Sequence, residues 1–103
     1  QTQPILRIDD LTLDTVKQKV CRANENIYLT RKEFSLLEYL MQNSGNVISR
    51  GTLMEHIWDV NVDPFSNTIE THILNLRKKI DRPSRRKLIH NVPGRGYKIE
   101  YIH

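Results

Sequence analysis

The sequence predicts an α+β fold in which a small antiparallel sheet comes first, three helices follow and a β-hairpin closes the chain. Short apolar clusters alternate with turn-forming residues before Thr30, the apolar repeat becomes helical from Thr30 onwards, and two strand-like segments near the C-terminus flank Gly94-Arg95-Gly96. Strands gathered at one end and helices after them are typical of α+β rather than alternating α/β architecture.

The N-terminal segment contains apolar residues at alternating positions, as at Leu11/Leu13 and Ile27/Leu29, and this pattern predicts half-buried strands. Turn-formers separate the strands at Asp9-Asp10, Asp14-Thr15 and Asn24-Glu25-Asn26. Connections this short can only pair strands antiparallel, so we expect a meander of three or four strands. Three basic side chains of this segment are expected to face solvent, namely Lys17, Lys19 and Arg22.

Two helices are predicted after the sheet. Thr30-Arg31-Lys32-Glu33 is a capping box, which satisfies two backbone amides at a helix start, and the helix should run to about Asn43, before Gly45. Val47-Ile48 is long enough only for a bridging strand, and Ser49 then caps a second helix. The apolar residues of these helices are assigned to the core: Phe34, Leu36, Leu37, Leu40 and Met41 in the first, and Leu53, Met54, Ile57 and Trp58 in the second.

A third helix is predicted over about 67–80, capped by Ser66 or Asn67 and ended by Arg82-Pro83, with Glu70 completing a variant capping box on Asn67. Its apolar residues lie on one narrow stripe, made of Ile69, Ile73, Leu76 and Ile80. The opposite direction holds Asn67, Thr68, Thr71, Leu74, Asn75, Lys78 and Lys79, with Glu70 and Arg77 on one flank and His72 on the other. Amides, threonines and lysines of this kind can reach base edges and phosphates.

Positive charge is concentrated in the same part of the chain. Residues 1–65 hold 7 Lys and Arg against 9 Asp and Glu, whereas residues 66–103 hold 9 against 3, within an overall formal charge of +4. A phosphate-facing surface needs such a concentration, although a merely solvated basic face would have the same composition. Arg95, between two glycines at the predicted hairpin tip, is well placed to project into a groove, or is simply an exposed turn residue.

Several segments together resemble the effector domain of the OmpR/PhoB family of response regulators, and the likeness covers nearly the whole chain. The residues similar to that family's first two helices are Leu29-Thr30, Glu33, Leu36-Leu37, Leu40, Asn43, Gly45, Val47, Ser49-Arg50, Leu53 and Ile57-Trp58. Those similar to its recognition helix are Thr68, His72-Ile73 and Leu76-Arg77-Lys78-Lys79-Ile80, and Gly94-x-Gly96-Tyr97 is similar to its wing. The resemblance implies a winged helix-turn-helix with an N-terminal four-stranded antiparallel sheet, three helices and a C-terminal β-hairpin wing.

The resemblance also implies where DNA is bound: the third helix in the major groove and the wing, residues 93–97, in the adjacent minor groove. By their position opposite the apolar stripe, the residues expected to contact bases are Thr71, Leu74, Asn75 and Lys78. The family match and their flanking positions make Trp58, Thr68, His72, Arg77 and Tyr97 the expected contacts to the DNA backbone, and Arg95 the minor-groove residue. Trp58 and His72 are equally compatible with a packing role.

Further partners are implied by the resemblance alone. The loop after the second helix, with Asn61 and Asp63, is expected to contact RNA polymerase, and two domains are expected to occupy tandem direct repeats as a dimer on double-stranded DNA. Family members normally carry an N-terminal receiver domain that a sensor histidine kinase phosphorylates, and nothing here resembles one. The 103 residues are therefore expected to form a single effector domain.

Other functions fit the sequence less well. For an enzyme, it offers no glycine-rich phosphate loop, no nucleophile elbow and no persuasive acid/base pair, and His56, His72, His90 and His103 lack metal-ligand spacing. Any winged helix could serve as a protein-interaction module, but the polar and basic face of the third helix disfavours that function here. An RNA-binding module would need paired exposed aromatic side chains on its sheet to stack bases, and the predicted sheet lacks them. No cofactor or metal is expected, and the lone Cys21 and lack of an apolar span indicate a cytoplasmic protein.

Overall fold

The computed structural model describes residues 4–58, 66–81 and 86–101. Its elements in chain order are β1 (Ile5–Ile8), β2 (Leu11–Asp14), β3 (Lys19–Arg22), β4 (Glu25–Ile27), α1 (Arg31–Gln42), α2 (Arg50–Ile57), α3 (Thr68–Ile80), β5 (Ile89–Val92) and β6 (Gly96–Ile99). The four N-terminal strands form an antiparallel meander in the order β1-β2-β3-β4, and β5 pairs antiparallel with β6. The predicted α+β architecture is confirmed.

One core holds the elements together. It combines alternate residues of the sheet with the inward faces of all three helices and the hairpin, and its members include Leu11, Leu13, Val20, Phe34, Leu37, Leu40, Leu53, Ile69, Ile73, Leu76, Ile80, Leu88, Ile89 and Ile99. Within the described ranges no helix is both long and apolar enough to cross a membrane.

The turn between β3 and β4 lies one residue earlier than the sequence indicates. Ala23 and Asn24 are its central residues, with φ of 53° and 67°, so Glu25 and Asn26 belong to β4 and Leu29 lies beyond it. Two consecutive residues with positive φ match the right-handed twist of a two-residue hairpin, and this geometry outweighs the turn preference of Asn26. At the β2–β3 turn Asp14 behaves as predicted, because its Oδ1 accepts from the amides of Val16 and Lys17 at 3.0 Å.

Arg22 is fully buried, so the prediction that it faces solvent is wrong, whereas Lys17 and Lys19 are exposed. Because side chains alternate along a strand, Arg22 follows the buried Val20 on the inward face of β3. Its guanidinium is neutralised there by two carboxylates: Nε lies 2.9 Å from Asp10 Oδ1 and Nη1 lies 2.8 Å from Asp81 Oδ1. Burial of an arginine is tolerable only with such partners.

The helix starts are capped as predicted in two of three cases. The amide of Glu33 donates to Thr30 Oγ1 at 3.3 Å and the amide of Thr30 donates to Glu33 Oε1 at 3.0 Å, which is the predicted capping box. Ser49 accepts from the amide of Thr52 at α2. Asn67 occupies the cap position of α3 but makes no capping hydrogen bond, so the variant capping box is wrong.

The C-terminal hairpin is extended by the chain before α2. Ile48 pairs with Tyr97, its amide donating to the Tyr97 carbonyl at 2.7 Å and its carbonyl accepting from the Tyr97 amide at 2.9 Å. Gly96 has a φ of +143°, and a Cβ there would lie 2.1 Å from the Ile48 carbonyl oxygen. Only glycine lets the two backbones approach this closely. The wing is thereby attached to the start of α2.

We expect Gly96→Ala to destabilise the fold far more than Gly94→Ala, and chemical denaturation of the two variants measures this. Gly94 also has a positive φ, of +75°, but a Cβ there would meet nothing within 4 Å. Gly94→Ala should therefore cost about 1–2 kcal/mol of unfolding free energy through backbone strain alone. Gly96→Ala adds a collision with backbone and should cost on the order of 3 kcal/mol or more. Equal losses would mean that the approach to Ile48 does not constrain the wing.

Candidate nucleic-acid interface

Helix α3 buries one face and exposes the other, as its sequence predicts. Ile69, Ile73, Leu76 and Ile80 are at most 2% exposed. On the far side Thr71, Leu74 and Lys78 are exposed and Asn75 is half-buried. Leu74 is 52% exposed and is the apolar member of this face. The structure thus brings all four expected base-reading side chains onto one outward face.

Lys79 does not belong to that face. Its Nζ donates to Glu33 Oε1 at 2.6 Å, at the start of α1, so the prediction that Lys79 points outward is wrong. At about 100° per residue, position 79 lies roughly a quarter-turn from the centre of the apolar stripe and not opposite it. A side chain at this angle meets the neighbouring helix, and Lys79 there joins α3 to the capping box of α1.

One flank of α3 carries a compact group that contains three of the expected backbone contacts. Trp58, the C-terminal cap of α2, is 8% exposed, and the His72 ring lies edge-on to it with 5.1 Å between ring centroids. His72 Nδ1 lies 2.7 Å from the Thr68 carbonyl. Because a carbonyl only accepts, Nδ1 carries the hydrogen, and Nε2 donates only when the ring is protonated. Trp58 and His72 therefore have packing roles here.

The other flank combines Glu70, Arg77, Arg50 and Tyr97. Arg50 Nε lies 2.7 Å from Glu70 Oε2, and Arg50 Nη2 donates to the Ser66 carbonyl, so the first residue of α2 holds the start of α3. The hydrogen bond from Arg50 lowers the pKa of Glu70 below its usual value. Burial raises the pKa of Tyr97 and the negative charge of Glu70 raises it further, whereas the positive charges of Arg50 and Arg77 act in the opposite direction. The phenol therefore keeps its proton at neutral pH and can donate a hydrogen bond.

The wing tip is an exposed turn at Pro93, Gly94 and Arg95, closed by a 3.0 Å hydrogen bond from the Arg95 amide to the Val92 carbonyl. A cleft of about 410 Å³ separates the wing from the N-terminus of α2, and it is lined by Ser49, Arg50, Gly51, Asn91, Val92, Gly94, Arg95, Gly96 and Tyr97. Arg95 therefore lies opposite the N-terminus of α2, on the lining of an open groove.

The sequence did not predict the polar contacts that hold the two ends of α3. Arg50 makes them at the start of the helix, and Arg22 and Asp81 make them at its end. The alternation Val20/Arg22 was a usable signal for Arg22, since it places an arginine on the buried face of β3. Asn61 and Asp63, the expected polymerase contacts, lie outside the described residues. In the part of the chain that is described, no group of three or more His, Cys, Asp or Glu side chains could hold a metal ion.

Comparison with known protein families matches residues 24–99 to the family described as "Transcriptional regulatory protein, C terminal". The transcriptional activator protein IrlR of Burkholderia pseudomallei is 42% identical over 96 residues, which is 93% of this chain and 42% of IrlR. The transcriptional regulatory protein PcoR of Escherichia coli is 40% identical over 100 residues, 97% of this chain and 44% of PcoR. The chain thus spans about two fifths of the length of these curated relatives.

Solved structures show the same fold. The response regulator DrrB, a Thermotoga maritima OmpR/PhoB homolog, superposes with a TM-score of 0.84 at 32% identity, covering 96% of this chain and 45% of DrrB. The DNA-binding domain of CpxR from E. coli gives 0.82 at 34% identity, covering 95% and 97%. The Klebsiella pneumoniae RstA DNA-binding domain, in complex with the RstA box, gives 0.84 at 25% identity, covering 95% and 98%.

The contact between Glu33 and Lys79 predicts how stability depends on pH. Burial by itself would raise the pKa of Glu33, but hydrogen bonds from Lys79 and the Thr30 amide, with the charge of Lys79, outweigh burial and lower it below 4.5. A lowered folded-state pKa contributes stability that is present above about pH 4.5 and lost as pH falls through the folded value. The stability advantage of wild type over Glu33→Gln should therefore shrink on acidification.

Urea unfolding of both proteins between neutral and acid pH measures that advantage. Glu38→Gln makes the same change of net charge on the same helix, without a contact to Lys79, and is the matched control. If Glu33→Gln and Glu38→Gln lose stability in parallel through the acid range, Glu33 is not the group that couples α1 to α3.

Proposed function

The chain belongs to the family of OmpR/PhoB-type transcriptional regulatory proteins as their C-terminal DNA-binding domain, and we propose that it controls transcription by binding double-stranded DNA sequence-specifically, as the output domain of a two-component response regulator. The observation that carries the proposal is the division of α3 into a buried apolar stripe and an outward face of Thr71, Leu74, Asn75 and Lys78. The RstA domain in complex with its DNA box shares this fold over 95% of the chain.

In the proposed complex the outward face of α3 lies in the major groove and reads base edges. An asparagine amide pairs in bidentate fashion with adenine, so Asn75 is assigned to that contact, and Lys78 donates to guanine. Leu74 and the Thr71 methyl meet thymine methyl groups, which gives the 52% exposed Leu74 an apolar partner. The wing lies in the next minor groove, where Arg95 favours the narrow, negative groove of A·T-rich sequence.

The two flanks of α3 are assigned to the phosphates on the two sides of the groove. Thr68, His72 and Trp58 lie on one flank, and Arg77 and Tyr97 on the other. A helix seated in the major groove has one sugar-phosphate backbone on each side, so groups on both flanks fix its depth and register. The flanking positions of Thr68, Arg77 and Tyr97 support phosphate contacts, whereas Trp58 and His72 also pack against each other and are assigned to the phosphates from the family alone.

Partners beyond DNA are proposed from the family alone. The relatives are longer than this chain, and we propose that the whole protein has a receiver domain phosphorylated by a sensor histidine kinase, acting in the cytoplasm. We further propose that two domains bind tandem repeats as a dimer and that the loop with Asn61 and Asp63 contacts RNA polymerase.

The function is tested by measuring binding to duplex DNA against salt, first for wild type and then for Asn75→Ala and Arg95→Ala. The logarithm of wild-type affinity should fall linearly with the logarithm of salt concentration, because phosphate contacts release counterions. Asn75→Ala should cost about 1–3 kcal/mol on the preferred sequence and little on random sequence, whereas Arg95→Ala should lower affinity on both and reduce the salt slope by about one.

Lys17→Ala is the matched control, since it removes one exposed positive charge from the β2–β3 turn, on a different element from the proposed interface. The preferred sequence comes from selection on random duplexes. Absence of duplex binding by wild type would refute the function, and an unchanged preferred sequence for Asn75→Ala would remove its assignment as a base reader.

Tandem binding is tested by the spacing of repeats. Two domains on one face of the duplex require repeat centres one helical turn, about 10 to 10.5 base pairs, apart. Inserting five base pairs turns the second site to the opposite face, so cooperative occupancy in footprinting should disappear while single-site affinity stays the same. Cooperativity that survives the insertion would exclude the tandem arrangement.

A further inference from the structure

The two elements proposed to contact DNA must be held at a fixed distance and angle if both are to meet one duplex. Helix α3 ends at Ile80 and the first strand of the wing begins at Ile89. On the two sides of residues 82–85, polar contacts join these ends, and they involve Asp81, the buried Arg22 and the backbone of Arg86, Leu88 and Ile89.

The Asp81 carboxylate bridges the end of α3 and the start of β5. Its Oδ2 accepts from the amides of Leu88 at 3.1 Å and Ile89 at 2.9 Å, and its Oδ1 accepts from Arg22 Nη1 at 2.8 Å. The Asp81 side chain is 5% exposed, so water hardly competes for these bonds. Because Asp81 is itself the C-terminal cap of α3, a displacement of β5 relative to α3 breaks at least one of them.

Arg22 holds that carboxylate and caps the same helix. Nη1 donates to the Ile80 carbonyl at 2.7 Å as well as to Asp81, Nε donates to Asp10 and Nη2 donates to the Arg86 carbonyl. A helix C-terminus has carbonyls without intrahelical partners and a partial negative charge, so a cation there is favourable. The planar guanidinium satisfies partners from three segments at once, which the single ammonium of lysine would not do.

We propose that Asp81 and Arg22 are positioning residues that fix the wing relative to the recognition helix, so that Arg95 reaches its groove while α3 is seated. The inference rests on the proposed function, because it assigns a role in DNA binding to residues that do not touch DNA. The other polar attachments of the wing join β6 to the segment before α2, through the Ile48–Tyr97 pair and the Gly45 amide, which donates to the Ile99 carbonyl at 2.9 Å. Asp81 is instead the polar link between the end of α3 and the start of β5.

Asp81→Asn tests the role of the Asp81 carboxylate most directly. It keeps the size of the side chain but replaces one oxygen with an NH2 donor, and whichever way the amide turns, that donor faces either Arg22 or the amides of Leu88 and Ile89. We expect Arg95→Ala to weaken duplex binding about tenfold in the wild-type background and less than about threefold in Asp81→Asn, because a displaced wing no longer makes the contact. Asn75→Ala should cost the same factor in both backgrounds.

A role in stability alone would give equal costs of Arg95→Ala in the two backgrounds, and that result would overturn the inference. Glu100→Gln is the matched control, because it also removes one negative charge, next to β6, from a side chain whose partner is Lys98. In a double-mutant cycle, the effects of Glu100→Gln and Arg95→Ala on duplex binding should be additive. Should circular dichroism show Asp81→Asn to be unfolded, Asp81→Glu keeps the charge, displaces the carboxylate by one methylene, and should show the same non-additivity.

Amide residual dipolar couplings of the DNA-free protein separate this inference from the function. In Asp81→Asn the orientation of β5 and β6 relative to α3 should change, and hydrogen exchange of the Leu88 and Ile89 amides should accelerate, while Glu100→Gln leaves both as in wild type. An unchanged orientation would overturn the positioning role even if DNA binds as proposed. Failure of wild type to bind duplex would refute the function, and the couplings would still test the positioning.

Discussion

Burial of the apolar stripe of α3 is the constraint on which the rest of the structure depends. Ile69, Ile73, Leu76 and Ile80 lie in the common core, and each buried side chain of this size contributes roughly 1.5–3 kcal/mol. The rotation of α3 about its own axis is thereby fixed, and with it the outward direction of Thr71, Leu74, Asn75 and Lys78. Interface geometry follows from core packing, since no other rotation of α3 buries all four residues.

Apolar packing sets the rotation of α3 but is less restrictive about sliding and tilt, and polar contacts at its ends supply that restriction. The Arg50–Glu70 pair at the start is partly exposed, and such pairs contribute roughly 0–1 kcal/mol. The Arg22–Asp81 pair at the end is buried, and removing one partner of such a pair costs about 3–5 kcal/mol. Because desolvation offsets much of the attraction, the buried pair contributes geometry more than net stability.

The wing is positioned by backbone contacts as much as by side chains. Ile48 adds a one-residue β-bridge to the hairpin, and Gly96 permits the approach because it has no Cβ. Pro93, Gly94 and Arg95 lie beyond the last paired residues of β5 and β6. An exposed tip on a paired base suits a residue that enters a minor groove, since the base sets the direction in which Arg95 projects.

The sequence by itself determined the order and type of the elements, the inward stripe of α3, the capping box at Thr30, the N-cap at Ser49 and the hairpin around Arg95, because local periodicity and capping depend on neighbours within a few residues. Only the tertiary structure decided the contacts between distant segments: Arg22 buried against Asp10 and Asp81, Lys79 turned towards Glu33, and Glu70 paired with Arg50 instead of capping its own helix. A charged side chain takes whichever partner the fold brings within reach, whereas the sequence pattern had predicted solvent for Arg22, the outward face of α3 for Lys79 and a capping role for Glu70. Burial and pairing are properties of the assembled core, so these residues were assigned only once the helices and the sheet were in place.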